Sequence, residues 1–95
     1  MIRSFRNRGT SDVFDGADTK AARKVCPREL WPVADRRLDL LNRVVHLEEL
    51  KKPPENRLER LKGNRAGQWS IRVNDQYRIC FRWENGHADE VEITD

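Results

Sequence analysis

Between Asn56 and Arg82 seven basic residues, Arg57, Arg60, Lys62, Arg65, Arg72, Arg78 and Arg82, stand against only Glu59 and Asp75, a net of +5. From Glu84 onward Glu84, Asp89, Glu90, Glu92 and Asp95 meet no base, a net of −5. A basic block followed by an acidic one suits an anion-binding surface whose field is trimmed by its own tail. The plain alternative is a set of cross-strand salt bridges on a solvated sheet face. Without a metal cluster or a phosphate-cradling glycine loop, such a face fits RNA binding or metal-independent RNA cleavage better than nucleotide hydrolysis. Cleavage of that kind needs a base for the 2′-OH proton, positive charge for the phosphorane, and an acid for the leaving oxygen. Lys62, Arg65, Arg72, Arg78 and Arg82 are candidates for the charge, whereas Glu59, Asp95 or a histidine must move the protons.

Other reactive residues point to less. Gly63-Asn64-Arg65-Ala66-Gly67 lacks the GK[ST] of a phosphate-binding loop and reads as a turn entering a strand. Cys26 and Cys80 have neither metal-ligand nor redox spacing and read as small apolar side chains. His46 reads as a charge or cap at a helix C-terminus, and His87, beside Asn85-Gly86, as solvated. No metal and no cofactor is expected.

The elements that must position these groups follow from periodicity. Ile2 to Arg6 reads as an opening strand closed by an Asn7-Arg8-Gly9 turn. Ser11 to Phe14 reads as a helical turn stopped by Gly16, and Asp18 as the N-cap of a helix over Thr19 to Val25, whose Ala21 and Ala22 allow close packing. Leu30, Val33/Ala34, Leu38, Leu41 and Val44/Val45 recur at helical spacing and predict a helix from about Leu30 to Val45, with Pro32 in its first turn and Trp31 as a packing anchor. Pro53-Pro54 predicts an extended loop.

The last third alternates with period two, as an antiparallel meander through Trp69, Ile71 and Val73, then Tyr77 to Trp83, then Val91 and Ile93. Two-residue loops would set Ile71 opposite Arg78 and Val91 opposite Cys80. Three-residue loops, such as Glu84-Asn85-Gly86, instead gather Ile71, Ile79, Phe81, Val91 and Ile93 on one face for the long helix to cover. The other face then collects Ser70, Arg72, Arg78, Cys80 and Arg82. Arg72 and Arg78 fall nearly cross-strand, with Glu90 or Glu92 as the internal anion between them unless a phosphate backbone takes that place. Strand parity sets Asp95 with Val91 and Ile93, so the strand must end or twist before Asp95 reaches the basic face.

Composition bounds the rest. The chain has 95 residues, 37% charged and 37% hydrophobic, with a mean hydropathy of −0.90 and a net charge of +3. One α+β domain over 1–95 is expected, cytoplasmic, with no membrane span and no secretory h-region. A core this small is marginal, so a protein partner covering apolar surface near the first helices or opening strand is expected.

The run RLERLKGNRAGQWSIRVNDQYRICFRWENG, Arg57 to Gly86, with MIRSF at the start and the spacing between them, resembles the HigB or plasmid-maintenance killer family of RelE-superfamily toxins. The resemblance covers essentially the whole chain. It implies a RelE-like fold, with an N-terminal strand and helices packed on one face of a C-terminal antiparallel sheet. It also implies a type II toxin that enters the ribosomal A site and cleaves mRNA there. A HigA-type helix-turn-helix antitoxin would neutralise it, and operator DNA would be met only through that antitoxin. Lys62 of Leu61-Lys62-Gly63 matches the family's catalytic-site lysine, Arg78 of Tyr77-Arg78-Ile79 its phosphate-binding arginine, and Asp95 the aspartate of a terminal Asp-Tyr-His. Glu59 stands where well-known members have histidine, and glutamate serves as a base near neutrality only with a raised pKa. Arg65, Arg72 and Arg82 would bind RNA. The competing expectation is a non-cleaving module that uses the same basic face to bind the ribosome or an acidic partner.

Overall fold

The computed structural model describes residues 1–95. Asn7 is extended, and its Oδ1 accepts hydrogen bonds from the Thr10 amide at 2.9 Å and the Thr10 hydroxyl at 2.8 Å. That cap starts α1 (Arg8–Asp15), so the expected Asn7-Arg8-Gly9 turn is the first turn of a helix. Gly16, at φ 75°, ends it as expected. Thr19 rather than Asp18 caps α2 (Lys20–Val25), its hydroxyl accepting from the Ala22 amide at 3.0 Å. Asp18 is drawn away by Arg23 and Arg28, which pair with it and hold its carboxyl below the usual carboxylate range against its own desolvation. The two helices meet at Gly9, where a Cβ would collide with the Ala21 carbonyl oxygen.

Helix α3 (Trp31–Arg43) carries Pro32 in its first turn, and the Trp31 indole N–H donates to the Cys26 carbonyl at 3.1 Å. Ala34, Leu38 and Leu41 are fully buried on one stripe. The backbone leaves the helix at Val44 with ψ 145°, two residues earlier than the periodicity implies, so Val44 stays buried while Val45 is 63% exposed. His46 therefore lies beyond the helix, where Glu49 Oε2 accepts from its amide at 2.7 Å and from that of Val45 at 2.9 Å. These two amides hold the Glu49 carboxyl below its ordinary range. Around Pro53 the chain makes two 3-10 turns, Leu47–Lys51 and Pro54–Asn56, so the expected extended loop is confined to Lys52 and Pro53 between them. Buried Asn56 ties them by donating to the Leu50 and Lys52 carbonyls at 3.2 and 3.1 Å.

The meander has four strands in chain order: β1 (Glu59–Arg60), β2 (Trp69–Arg72), β3 (Arg78–Glu84) and β4 (His87–Thr94), all antiparallel. Ile71 pairs with Ile79 and Ile79 with Ile93, and together with Phe81 and Val91 they join the α3 stripe in one core. That face is the expected one, reached by a different device. Glu84 pairs with His87, so the second loop has two residues, Asn85 and Gly86, at φ 50° and 79°. The parity correction sits further along. Between the Arg82–Asp89 and Cys80–Glu92 pairs, β4 carries one residue more than β3, and Glu90 there adopts φ 52°. This bulge lets Ala88 and Val91 both reach the core.

The bulge also breaks the opening strand. Residues 1–6 run parallel to β4 with only two isolated bridges, Ile2 to Ala88 and Phe5 to Val91, where a continuous strand is expected. Between them the Glu90 amide turns to Ser4 Oγ at 2.8 Å, which satisfies the donor the bulge frees. From the helical side, the buried Thr10 hydroxyl accepts from the Ile93 amide at 3.0 Å and fixes the end of β4. No helix is long and apolar enough to cross a membrane.

Candidate active site

Register sets Arg72 directly opposite Arg78, where β2 and β3 join. Their connection is a three-residue loop, Asn74-Asp75-Gln76, closed by the Val73 amide donating to the Tyr77 carbonyl at 2.9 Å. Asn74 makes it rigid, because its Oδ1 accepts from the Gln76 amide at 2.9 Å and the Tyr77 amide at 2.6 Å. The loop returns two polar groups toward the arginines. The Asp75 carboxylate pairs with Arg72, and Gln76 Nε2 donates to Asp95 Oδ2 at 3.2 Å. Because β4 stops at Thr94, Asp95 is released from the parity that would have kept it on the core side.

These groups line a cleft of about 240 Å³, whose walls include Arg57, Glu59, Arg72, Tyr77, Arg78 and Asp95. Two guanidiniums held cross-strand repel unless an anion lies near. Arg72 has Asp75, whereas Arg78 pairs with no carboxylate. Beneath Arg78 the Cys80 thiol is fully buried. Desolvation pushes its pKa up, with the Glu92 charge in the same direction, opposed by the Arg65 and Arg78 charges.

Of the residues expected to do chemistry, the cleft gathers Glu59, Arg78 and Asp95, with Arg72 beside them. Lys62 is exposed at the start of the 3-10 turn Gly63–Arg65 and does not line the cleft. Arg65 and Arg82 also lie outside it. Arg65 Nη1 donates to Glu92 Oε1 and Gln68 Oε1, both at 3.1 Å, and Arg82 Nε donates to Glu90 Oε2 at 2.8 Å. Glu90 and Glu92 are thus not the anions between Arg72 and Arg78. The loop's Asp75 answers Arg72 alone, because an i,i+3 carboxylate on a tight turn reaches Arg72 where the bulged strand does not. Neither histidine lines the cleft, and His87 is half-buried with an unpartnered Nδ1 rather than solvated.

Arg57 and Tyr77 line the cleft without having been singled out for chemistry, although Arg57 belongs to the basic block and Tyr77 to the alternating run. Tyr77 follows the parity of the apolar face and packs against the core, yet it precedes β3 and lines the cleft as well. Arg57, at φ 46°, turns the chain out of the preceding 3-10 turn toward β1. The signal that finds this corner is Asn-Asp between two arginines six residues apart, a turn that must bring both to one place. Chemically, the cleft offers guanidinium charge for a phosphorane and carboxylates for proton transfer. No three His, Cys, Asp or Glu side chains come together as metal ligands.

Comparison with known proteins is consistent along the chain. A family model described as a RelE-like toxin of the type II toxin-antitoxin system HigB matches residues 3–94. Toxin HigB-1 of Vibrio cholerae serotype O1 is 35% identical over 88 residues, spanning 93% of this chain and 90% of that protein. Endoribonuclease HigB of Proteus vulgaris is 33% identical over 88 residues, with the same two shares, 93% and 90%. A chain of the YoeB-YefM complex from Staphylococcus aureus has the same fold, with a TM-score of 0.62 at 13% identity over 100% of this chain and 97% of that one.

Proposed function

The chain belongs to the HigB-like family of RelE-like toxins of type II toxin-antitoxin systems, and from that premise we propose that residues 1–95 form one toxin domain that cleaves mRNA on the ribosome without a metal ion. The observation that carries this reading is the cleft shared by Glu59, Arg78 and Asp95. In the proposed reaction Arg78, free of any internal carboxylate, meets the scissile phosphate and stabilises the charge that grows on it. Glu59 or Asp95 takes the proton from the 2′-OH, the 2′ oxygen attacks phosphorus, and the 5′ oxygen leaves with a proton from a second acid. Lys62 would meet a phosphate outside the cleft, and Arg65 and Arg82 would do so only where RNA displaces Glu92 and Glu90 from them. The cytoplasm, where translating ribosomes are, is the proposed location. A HigA-type antitoxin is the proposed neutralising partner, with operator DNA contacted through it alone.

Primer extension on a message translated in the presence of the purified chain tests the reading. Cuts that need ribosomes and fall at least about tenfold in Glu59→Gln or Asp95→Asn support it, since positioned proton transfer contributes on the order of a hundredfold or more. Uncut transcripts with folded protein sink it. A second reading, a module that occupies the ribosome without cutting, is favoured by one observation, the position of Lys62 outside the cleft. Inhibited translation with intact message would select it.

A further inference from the structure

We propose that Asp75 is a built-in stand-in for an RNA phosphate, so that the cleft holds two anion subsites: one open at Arg78 and one at Arg72 that the chain masks itself. This inference rests on the RNA reading of the cleft given above. Its basis is the asymmetry between two guanidiniums in direct cross-strand register, only one of which has a carboxylate. Arg72 is 32% exposed and sits in the wall of the cleft, while the Asp75 side chain that holds it is 97% exposed. A carboxylate so fully in water loses little on release, and an exposed ion pair of this kind is weak. Glu92, which holds Arg65, is the contrast, being only 16% exposed and fixed on a strand. Asn74 bonds the loop backbone internally, so the Asp75 side chain can swing out without disturbing the turn that positions Arg78 and Asp95. A phosphodiester adjacent to the one on Arg78 presents the same charge and the same oxygen acceptors to Arg72 as Asp75 does.

The test is binding of a short single-stranded RNA, 2′-O-methylated throughout so that it is not cut, followed by fluorescence anisotropy over a range of salt. Asp75→Asn should tighten binding about two- to fivefold at low salt, the range of exposed ion pairs. Its salt dependence should steepen by about 0.7 in log–log slope, one further phosphate on a single strand. Arg72→Gln should weaken binding, and in that background Asp75→Asn should add nothing. Unchanged affinity in Asp75→Asn overturns the proposal, as does an equal gain that persists when Arg72 is absent, since that is removal of a general negative charge. Arg78→Gln separates the two layers of inference. Binding that depends on Arg78 but ignores Asp75 defeats the masked subsite alone, and binding that ignores both defeats the RNA reading together with it.

Discussion

The two ends of β3 carry the same residue type on the same face and have opposite electrostatic outcomes. At one end Arg82 is bonded to Glu90, and neighbouring Arg65 to Glu92. At the other, Arg78 faces Arg72 and a cleft, and the one carboxylate paired there, the loop's Asp75, holds Arg72 and not Arg78. The acidic tail therefore neutralises two of the block's seven cations, Arg65 and Arg82, and leaves the Arg78 end for a ligand. What decides is the bulge at Glu90, which directs that side chain outward beside Arg82 and restores core parity before β4 reaches the Arg78 end. Charge counting finds the block; only the register shows which of its members are spent.

The largest expected effect breaks this comparison most directly. Arg78→Gln should lower ribosome-dependent cleavage by about a hundredfold or more, the usual cost of removing a charge that stabilises a phosphoryl transition state. Stability in urea should change by roughly 0.5 kcal/mol or less, because no internal ion pair is lost. Equal losses of cleavage and stability would mean that Arg78 is structural. Gly9→Ala is the complementary change on the helical side. The added Cβ has the Ala21 carbonyl in its way, so α1 and α2 must separate at a cost of about 1–3 kcal/mol. Cleavage per folded molecule should stay within a factor of about two, and a hundredfold loss there would show that the helical layer sets the cleft as well as the core.

That division also marks how far the sequence could be read. The helix-on-sheet arrangement, the α3 stripe and the cross-strand approach of Arg72 and Arg78 follow from two periods, 3.6 and 2, and from the rule that opposed residues share a face. The same parity argument rejects a two-residue hairpin at Asn85-Gly86 and assigns the extra residue to the loop, as Glu84-Asn85-Gly86, whereas the chain keeps the two-residue turn and carries the extra residue inside β4. Asn85-Gly86 is an ideal two-residue turn, so the extra residue moves to Glu90, a position with no glycine to mark it. The start of α1 is missed because Asn7 is equally at home in a turn and at an N-cap. In the site, Glu59 joins Arg78 through β1, a strand of two residues that is too short to show alternation. The pairing of Asp75 with Arg72 is a side-chain choice within a turn, below the resolution of any pattern.

The two cysteines sharpen the contrast between the regions. Cys26, at the end of α2, is buried beside Glu29, and desolvation followed by that charge pushes its thiol up to about 11 from 9.0. Below pH 9 both folded and unfolded thiols are protonated, and stability is complete. Between pH 9 and 11 only the unfolded thiol ionises, so stability should fall by roughly 2 kcal/mol across that window. Cys26→Ala should flatten most of the decline in urea denaturation measured at successive pH values. Cys80→Ala should flatten less of it, because the Arg65 and Arg78 charges oppose the rise at the active face. A larger contribution from Cys80 would mean that those guanidiniums are screened from the thiol, and with it that Arg78 is less available to a substrate anion than its lack of a partner indicates.

The smallest expected effect is the most discriminating. Arg82→Gln removes the same charge as Arg78→Gln from the same strand and the same face, so any long-range field argument predicts similar losses for both. If local pairing governs, Arg82 is already answered by Glu90, and its removal frees one carboxylate for each cation lost to RNA. Cleavage should then fall less than about threefold, and stability should move by about 0–1 kcal/mol, the worth of an exposed pair. The double change Arg82→Gln with Glu90→Gln should return cleavage to the level of the unmodified protein, since the net charge and the cleft are both unchanged. Competition assays of cut message against time at physiological salt resolve a threefold difference. A loss at Arg82 comparable to that at Arg78 would show that the whole basic face, rather than its unpaired end, guides the RNA.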